Sequence, residues 1–98
     1  MLIATSRVLT SHGGRYLQQL CKHWSHRFEV EHGVDTGRIA FSAQSSLSLS
    51  RDDEALTLVL SCADAAGLEA MKGVVEEHLR RFAFREALVF DWADAASG

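Results

Sequence analysis

The sequence predicts an α+β fold, a single antiparallel sheet of about six strands with two helices on one face. Three observations carry that prediction. The middle of the chain holds four consecutive stretches in which apolar and polar residues alternate, separated only by short turns. A helical apolar stripe stands on each side of this block. Single strand-like segments open and close the chain, which gives the order β-α-β-β-β-β-α-β.

The first strand is LIATSRVLT, rich in β-branched residues and roughly alternating, and Ser11-His12-Gly13-Gly14 ends it. From Arg15 to about Arg27, Leu17, Leu20, Cys21, Trp24 and Phe28 recur at helical spacing and form one stripe. Phe28 and Val30 then alternate with Glu29 and Glu31, and HGVDTG supplies a turn. Ile39 and Phe41 mark the next strand, Leu47 and Leu49 the one after it. SAQSS at 42–46 lacks the glycine expected in the hairpin between them. Arg51-Asp52-Asp53-Glu54 reads as a charged hairpin tip, followed by a strand with Leu56, Leu58, Leu60 and Cys62 on one face. Asp64 suits the N-cap of the second helix, whose stripe is Leu68, Met71, Val75, His78, Leu79 and Phe82. Arg80 and Arg81 near its end favour the helix dipole. The last strand is expected at 87–92, with Leu88, Phe90 and Trp92 on one side. The element order resembles one half of the TATA-binding-protein-like architecture, a likeness of shape that says nothing about DNA.

At 98 residues the chain is one domain, expected over 1–92 with 93–98 as a flexible tail. Hydrophobic residues make up 47% and charged residues 23%, the proportions of an ordinary globular protein. A net charge of −3 has the wrong sign for neutralising many phosphates, so no nucleic-acid partner is expected. No stretch approaches membrane-spanning length and the first residues show no signal-peptide core, so a cytoplasmic location with no membrane contact is expected. The two cysteines, Cys21 and Cys62, form no CxxC motif and both fall on apolar stripes, so they read as buried structural thiols.

The segment LCKHWSHRF at 20–28 concentrates nitrogen and sulfur ligands, but helical geometry separates them. With about 100° of rotation per residue, His23 lies roughly 160° from Cys21, so the two cannot share an ion with His26. His26 points towards water. His23 flanks the stripe beside Tyr16, and His78 falls inside the stripe of the second helix. Helices packed side by side would bring His23, His78 and Tyr16 to a common seam, where Tyr16 could satisfy an imidazole nitrogen. Tyr16, His23, His26 and His78 are therefore the candidate ligand patch. The structural reading is a hydrogen-bonded pair between helices, and no cofactor is expected. The functional alternative is an iron, zinc or haem contact.

YLQQLCKHWSHRFEV and EEHLRRFAFREALVFDW, with ATSRV at the first strand and Asp91-Trp92 near the end, resemble the small bacterial proteins grouped as domain of unknown function 2218. The family's characteristic positions fall on Tyr16, Leu20, His23, His26, His78, Phe82, Glu86 and Trp92. The resemblance implies no specific activity. It implies an association with siderophore-interacting flavoproteins, and through them with iron handling. The resulting expectation is a non-enzymatic binding or interaction module that self-associates. The uncovered sheet face would present Thr5, Arg7, Glu29, Glu31, Arg38, Ser46, Ser48, Ser50 and Thr57, polar and without the aromatics that stack RNA bases. The alternative is a metal- or small-ligand-binding protein, or a simple enzyme, with its site at the helix seam around His23 and His78.

Overall fold

Alternation in the middle of the chain becomes a ladder of long strands. The computed structural model, which describes residues 1–96, contains β1 (Leu2–Leu9), α1 (Gly13–Trp24), β2 (Glu29–His32), β3 (Thr36–Ser42), β4 (Ser45–Arg51), β5 (Ala55–Cys62), α2 (Ala65–Phe82) and β6 (Ala93–Ala96). They build one six-stranded sheet in the order β2-β3-β4-β5-β1-β6, with every pairing antiparallel. The α+β class and the element order are as the sequence predicts.

One face of the sheet carries the core. Ala4, Val8, Ile39, Leu47, Leu49, Leu56, Leu58, Leu60 and Cys62 meet Leu17, Leu20, Cys21 and Trp24 of α1 and Leu68, Val75 and Leu79 of α2. Helix α1 lies over β2 to β5, and α2 over β5 and β1. The approach is closest at Gly37, where an added Cβ would lie 2.7 Å from Cys21 Sγ. Only a residue without a side chain lets α1 sit so near β3.

Polar side chains shape the turns. The β3–β4 hairpin does without glycine and without a positive φ. Ser42 Oγ accepts the Gln44 N–H at 3.0 Å and lies 3.0 Å from Ser45 Oγ, with a register shift between Ala40 and Ser42. At the next tip, Asp52 Oδ1 accepts the N–H groups of Glu54 and Ala55, both at 2.8 Å. Those two bonds hold its carboxyl below the usual carboxylate range. Helix α2 starts at Asp64, whose Oδ1 accepts the Gly67 N–H at 2.7 Å. Helix α1 has no side-chain cap. It ends at Trp24, three residues before the expected Arg27.

The end of the chain differs from the expectation. Residues 87–92 form no strand. Leu88 is buried and Phe90 and Trp92 are half-buried while Val89 is exposed, so the alternation is real, but the segment joins no ladder. The Asp91 N–H donates to the side chain of Ser6 at 3.1 Å, and Trp92 Nε1–H to Glu76 at 2.9 Å. The strand lies instead at 93–96, within the segment assigned to a flexible tail, with Ala93 opposite Thr5 and Ala96 opposite Leu2. Lys72 helps to hold it, its ammonium 2.7 Å from Asp94 and 2.6 Å from Glu69. The rest of the expected tail, 97–98, lies outside the described residues.

Candidate functional site

The seam between α1 and α2 contains the residues singled out in the sequence, but it sorts them into two groups. His23 and His78 do meet, with ring centroids 5.1 Å apart. His78 also packs on Trp24 at 4.9 Å, and His23 approaches Phe82 at 6.2 Å. The His78 Nδ1–H donates to the Val74 carbonyl at 2.7 Å, which places the tautomeric proton on Nδ1. The row of rings continues outward through Phe41 and Phe28. Its imidazoles lie in a cluster of tilted and edge-to-face rings at the helix junction. His26 is exposed and away from both, while Cys21 is fully buried, so sulfur and imidazole diverge as helical geometry requires. Among the described residues no three His, Cys, Asp or Glu groups are placed to hold a metal ion. Burial pushes the thiols of Cys21 and Cys62 up, which keeps them protonated and unreactive.

Tyr16 does not join the histidines. It lies two helical turns before His23, a separation of about 10 Å along the axis. Its hydroxyl donates to Glu86, which sits just beyond the end of α2. Thr10 Oγ1 donates to the same carboxylate oxygen at 3.1 Å and accepts the His12 N–H at 3.0 Å. One carboxylate thus ties together the end of β1, the first turn of α1 and the loop after α2. Burial, then the hydrogen bond and the negative charge of Glu86, push the Tyr16 phenol up to about 12. Arg15 acts in the opposite direction.

This junction floors a half-open cleft of about 540 Å³, lined by His12, Arg15, Tyr16, Phe82, Arg85 and Glu86, with Phe84 at its side. A more open cleft continues past Ser11, His12 and Arg15 towards His32 and Arg51. Glu86 and Arg85 were missed as site residues. Only the observed register of the seam points to Glu86. The helices run in opposite senses, so moving eight residues on from His78 and seven back from His23 brings Glu86 against Tyr16.

The far side of the sheet is bare. Cross-strand pairing places Glu31, Arg38, Ser48, Val59 and Thr5 in one row, and Glu29, Ala40, Ser46, Ser61 and Ile3 in another. A third row holds Ser50, Thr57 and Arg7. The predicted face therefore exists, with Ile3 and Val59 added to its centre.

A one-sided antiparallel sheet, backed by two helices and polar on its bare face, defines a small α+β scaffold. The chain belongs to the family described as an uncharacterised protein conserved in bacteria, DUF2218, whose model matches residues 5–93. It is similar to PA4090 from Pseudomonas aeruginosa, a protein with an NMR structure, at 38% identity over 95% of this chain and 96% of that one, with a TM-score of 0.80. No curated protein sequence matches the chain. No helix among the described residues is long and apolar enough to cross a membrane.

Proposed function

We propose that this protein is a small interaction module that acts as a homodimer, its two copies packed through their bare sheet faces. The supporting observation is the character of that face. Its centre, built from Ile3, Thr5, Ser46, Ser48, Val59 and Ser61, is uncharged, small and already half-buried within one chain. The charges stand at the margin. Arg7 lies 3.4 Å from Asp52 at one end, and Arg38 faces Glu31 across the β2 edge. At the centre, hydroxyl residues surround Ile3 and Val59, and the freedom from charge there matches the depletion of charged residues at interface cores. Small side chains let two sheets approach to about 10 Å. From strand spacing and rise, each face offers roughly 550 Å². Two such faces bury about 1,100 Å², which clears the minimum of about 1,000 Å² for a biological contact and corresponds to a weak dimer.

In this reading the module has no catalytic step of its own. The proposal extends to an auxiliary role in iron handling beside a siderophore-interacting flavoprotein, the association that the family resemblance implies. Light scattering coupled to size-exclusion chromatography tests the dimer, which should run at twice the chain mass. Val59→Arg, a charge at the centre of the face, should return it to a single chain with an unchanged circular dichroism spectrum. A monomer throughout the micromolar to millimolar range would refute the proposal. So would a complex with the flavoprotein that forms from one chain each and is abolished by Val59→Arg, because the face would then belong to that partner.

A further inference from the structure

We infer that the cleft over Tyr16 and Glu86 binds a hydroxylated aromatic monocarboxylate, a function separate from the sheet face. Four features of the cleft point to that ligand. First, Arg15 and Arg85 line one hollow together, and among the described residues neither stands in an ion pair, a condition shared elsewhere by Lys22, Arg27 and Arg38. Two guanidinium groups without carboxylates, facing one hollow, are suited to a planar anion.

Second, Phe84 is 76% exposed beside them, with the Arg85 guanidinium 5.3 Å from its ring. The core makes no use of this ring. Together with half-buried Phe82 it gives the cleft two aromatic surfaces against which a flat ring can lie. Third, the charge balance selects the valence of the anion. Two guanidinium groups and the Glu86 carboxylate leave one net positive charge, which a monoanion matches and a phosphate dianion overshoots. Fourth, both protein hydroxyls go to one oxygen of Glu86. Its other oxygen has no hydrogen bond among the described residues and can accept one from a ring hydroxyl. The volume, about 540 Å³, lies in the range of small-molecule sites.

Amide chemical-shift titration of the full-length ¹⁵N-labelled chain at pH 7 tests this with three probes: 4-hydroxybenzoate, benzoate and inorganic phosphate. For so small a ligand, saturable binding of 4-hydroxybenzoate is expected at about 1 mM, with shifts centred on residues 11–16 and 84–86. Benzoate should bind about fivefold more weakly for want of the hydroxyl, and phosphate at least about tenfold more weakly. Arg15→Ala and Arg85→Ala each remove one fork and should weaken 4-hydroxybenzoate by about tenfold. Both side chains are exposed, so the rest of the spectrum should stay in place and report an intact fold. Phosphate binding as tightly as 4-hydroxybenzoate would overturn the inference, as would the absence of saturable shifts up to about 20 mM. Equal affinities for benzoate and 4-hydroxybenzoate would remove the assigned role of Glu86 and overturn the ligand class.

Discussion

Replacing Tyr16 by phenylalanine isolates one hydroxyl at the junction of three elements. Tyr16 is 5% exposed, and its hydroxyl donates to a charged carboxylate. A hydrogen bond of that kind contributes about 1.5–3 kcal/mol. The phenol supplies a second handle, because burial first, and then the hydrogen bond and charge of Glu86, push it from 10.0 up to about 12. The group is an acid whose folded value lies above its unfolded one. The neutral form is therefore the stabilised one, its contribution is complete below pH 10, and it declines as pH rises from 10 towards 12. At pH 11, midway between the two values, about half of that contribution should already be lost. Urea unfolding of wild type and Tyr16→Phe across pH 7–11 measures this directly. Subtraction removes the alkaline losses shared by both proteins, such as those of Lys72 and the cysteines. The difference should be about 2–3 kcal/mol and flat up to pH 9, then shrink by about half at pH 11. A difference that stays constant to pH 11, or one below about 0.5 kcal/mol at pH 7, would show that the Glu86 junction does not hold the fold together.

Two further substitutions test the packing and the last strand. Gly37→Ala puts a methyl 2.7 Å from Cys21 Sγ, with Leu17 Cδ2 3.5 Å away, and should lower stability by about 1–3 kcal/mol in urea unfolding. Combining it with Cys21→Ala should cost less than the sum of the two single changes, since the second removes the clashing atom. Lys72→Ala removes both carboxylate partners of the ammonium and should cost at most about 1 kcal/mol globally. Its signature is local: amide exchange at 93–95 should speed up while β4 and β5 stay protected.

The parts of this fold that could be read from sequence are those in which one face is buried against something. Leu47 and Leu49 between serines, or Leu56, Leu58 and Leu60 between half-buried residues, alternate because the core accepts only every second side chain. Strand β6 carries no such mark. Ala93-Asp94-Ala95-Ala96 has poor strand propensity, and its place is set by the open edge of β1 and by Lys72 reaching across from α2. In contrast, 87–92 has the alternation without the strand, because its inward residues fill the end of the core while its Asp91 N–H turns to the Ser6 hydroxyl. The meeting of His23 and His78 was legible because His23 flanks one apolar stripe and His78 falls within the other. The partnership of Tyr16 and Glu86 was not, since 70 positions separate them and Glu86 follows the helix rather than belonging to it.

The register of the seam explains why its two ends differ chemically. Between two antiparallel helices on a sheet, a residue at the stripe's edge is half in water, and rings with a polar atom tolerate that position best. Towards the end of α1 and within α2 both backbones are helical, so His78 satisfies its Nδ1–H on its own helix and the rings close into a tilted stack of edges and faces. Two turns back along α1 the opposing helix has ended, and Tyr16 faces a loop. There the hydroxyl takes a carboxylate from Glu86, and the missing helical turn leaves a hollow with arginines on both sides. The stack fixes how the helices slide along each other, and that sliding decides whether Glu86 reaches Tyr16 at all. His78→Ala should therefore do more than empty space beside Trp24. By loosening the register it should broaden the amide signals of residues 12–16 and 84–86, two turns from the substitution. A loss of stability of about 1–2 kcal/mol with those signals unchanged would show that the two ends of the seam are independent.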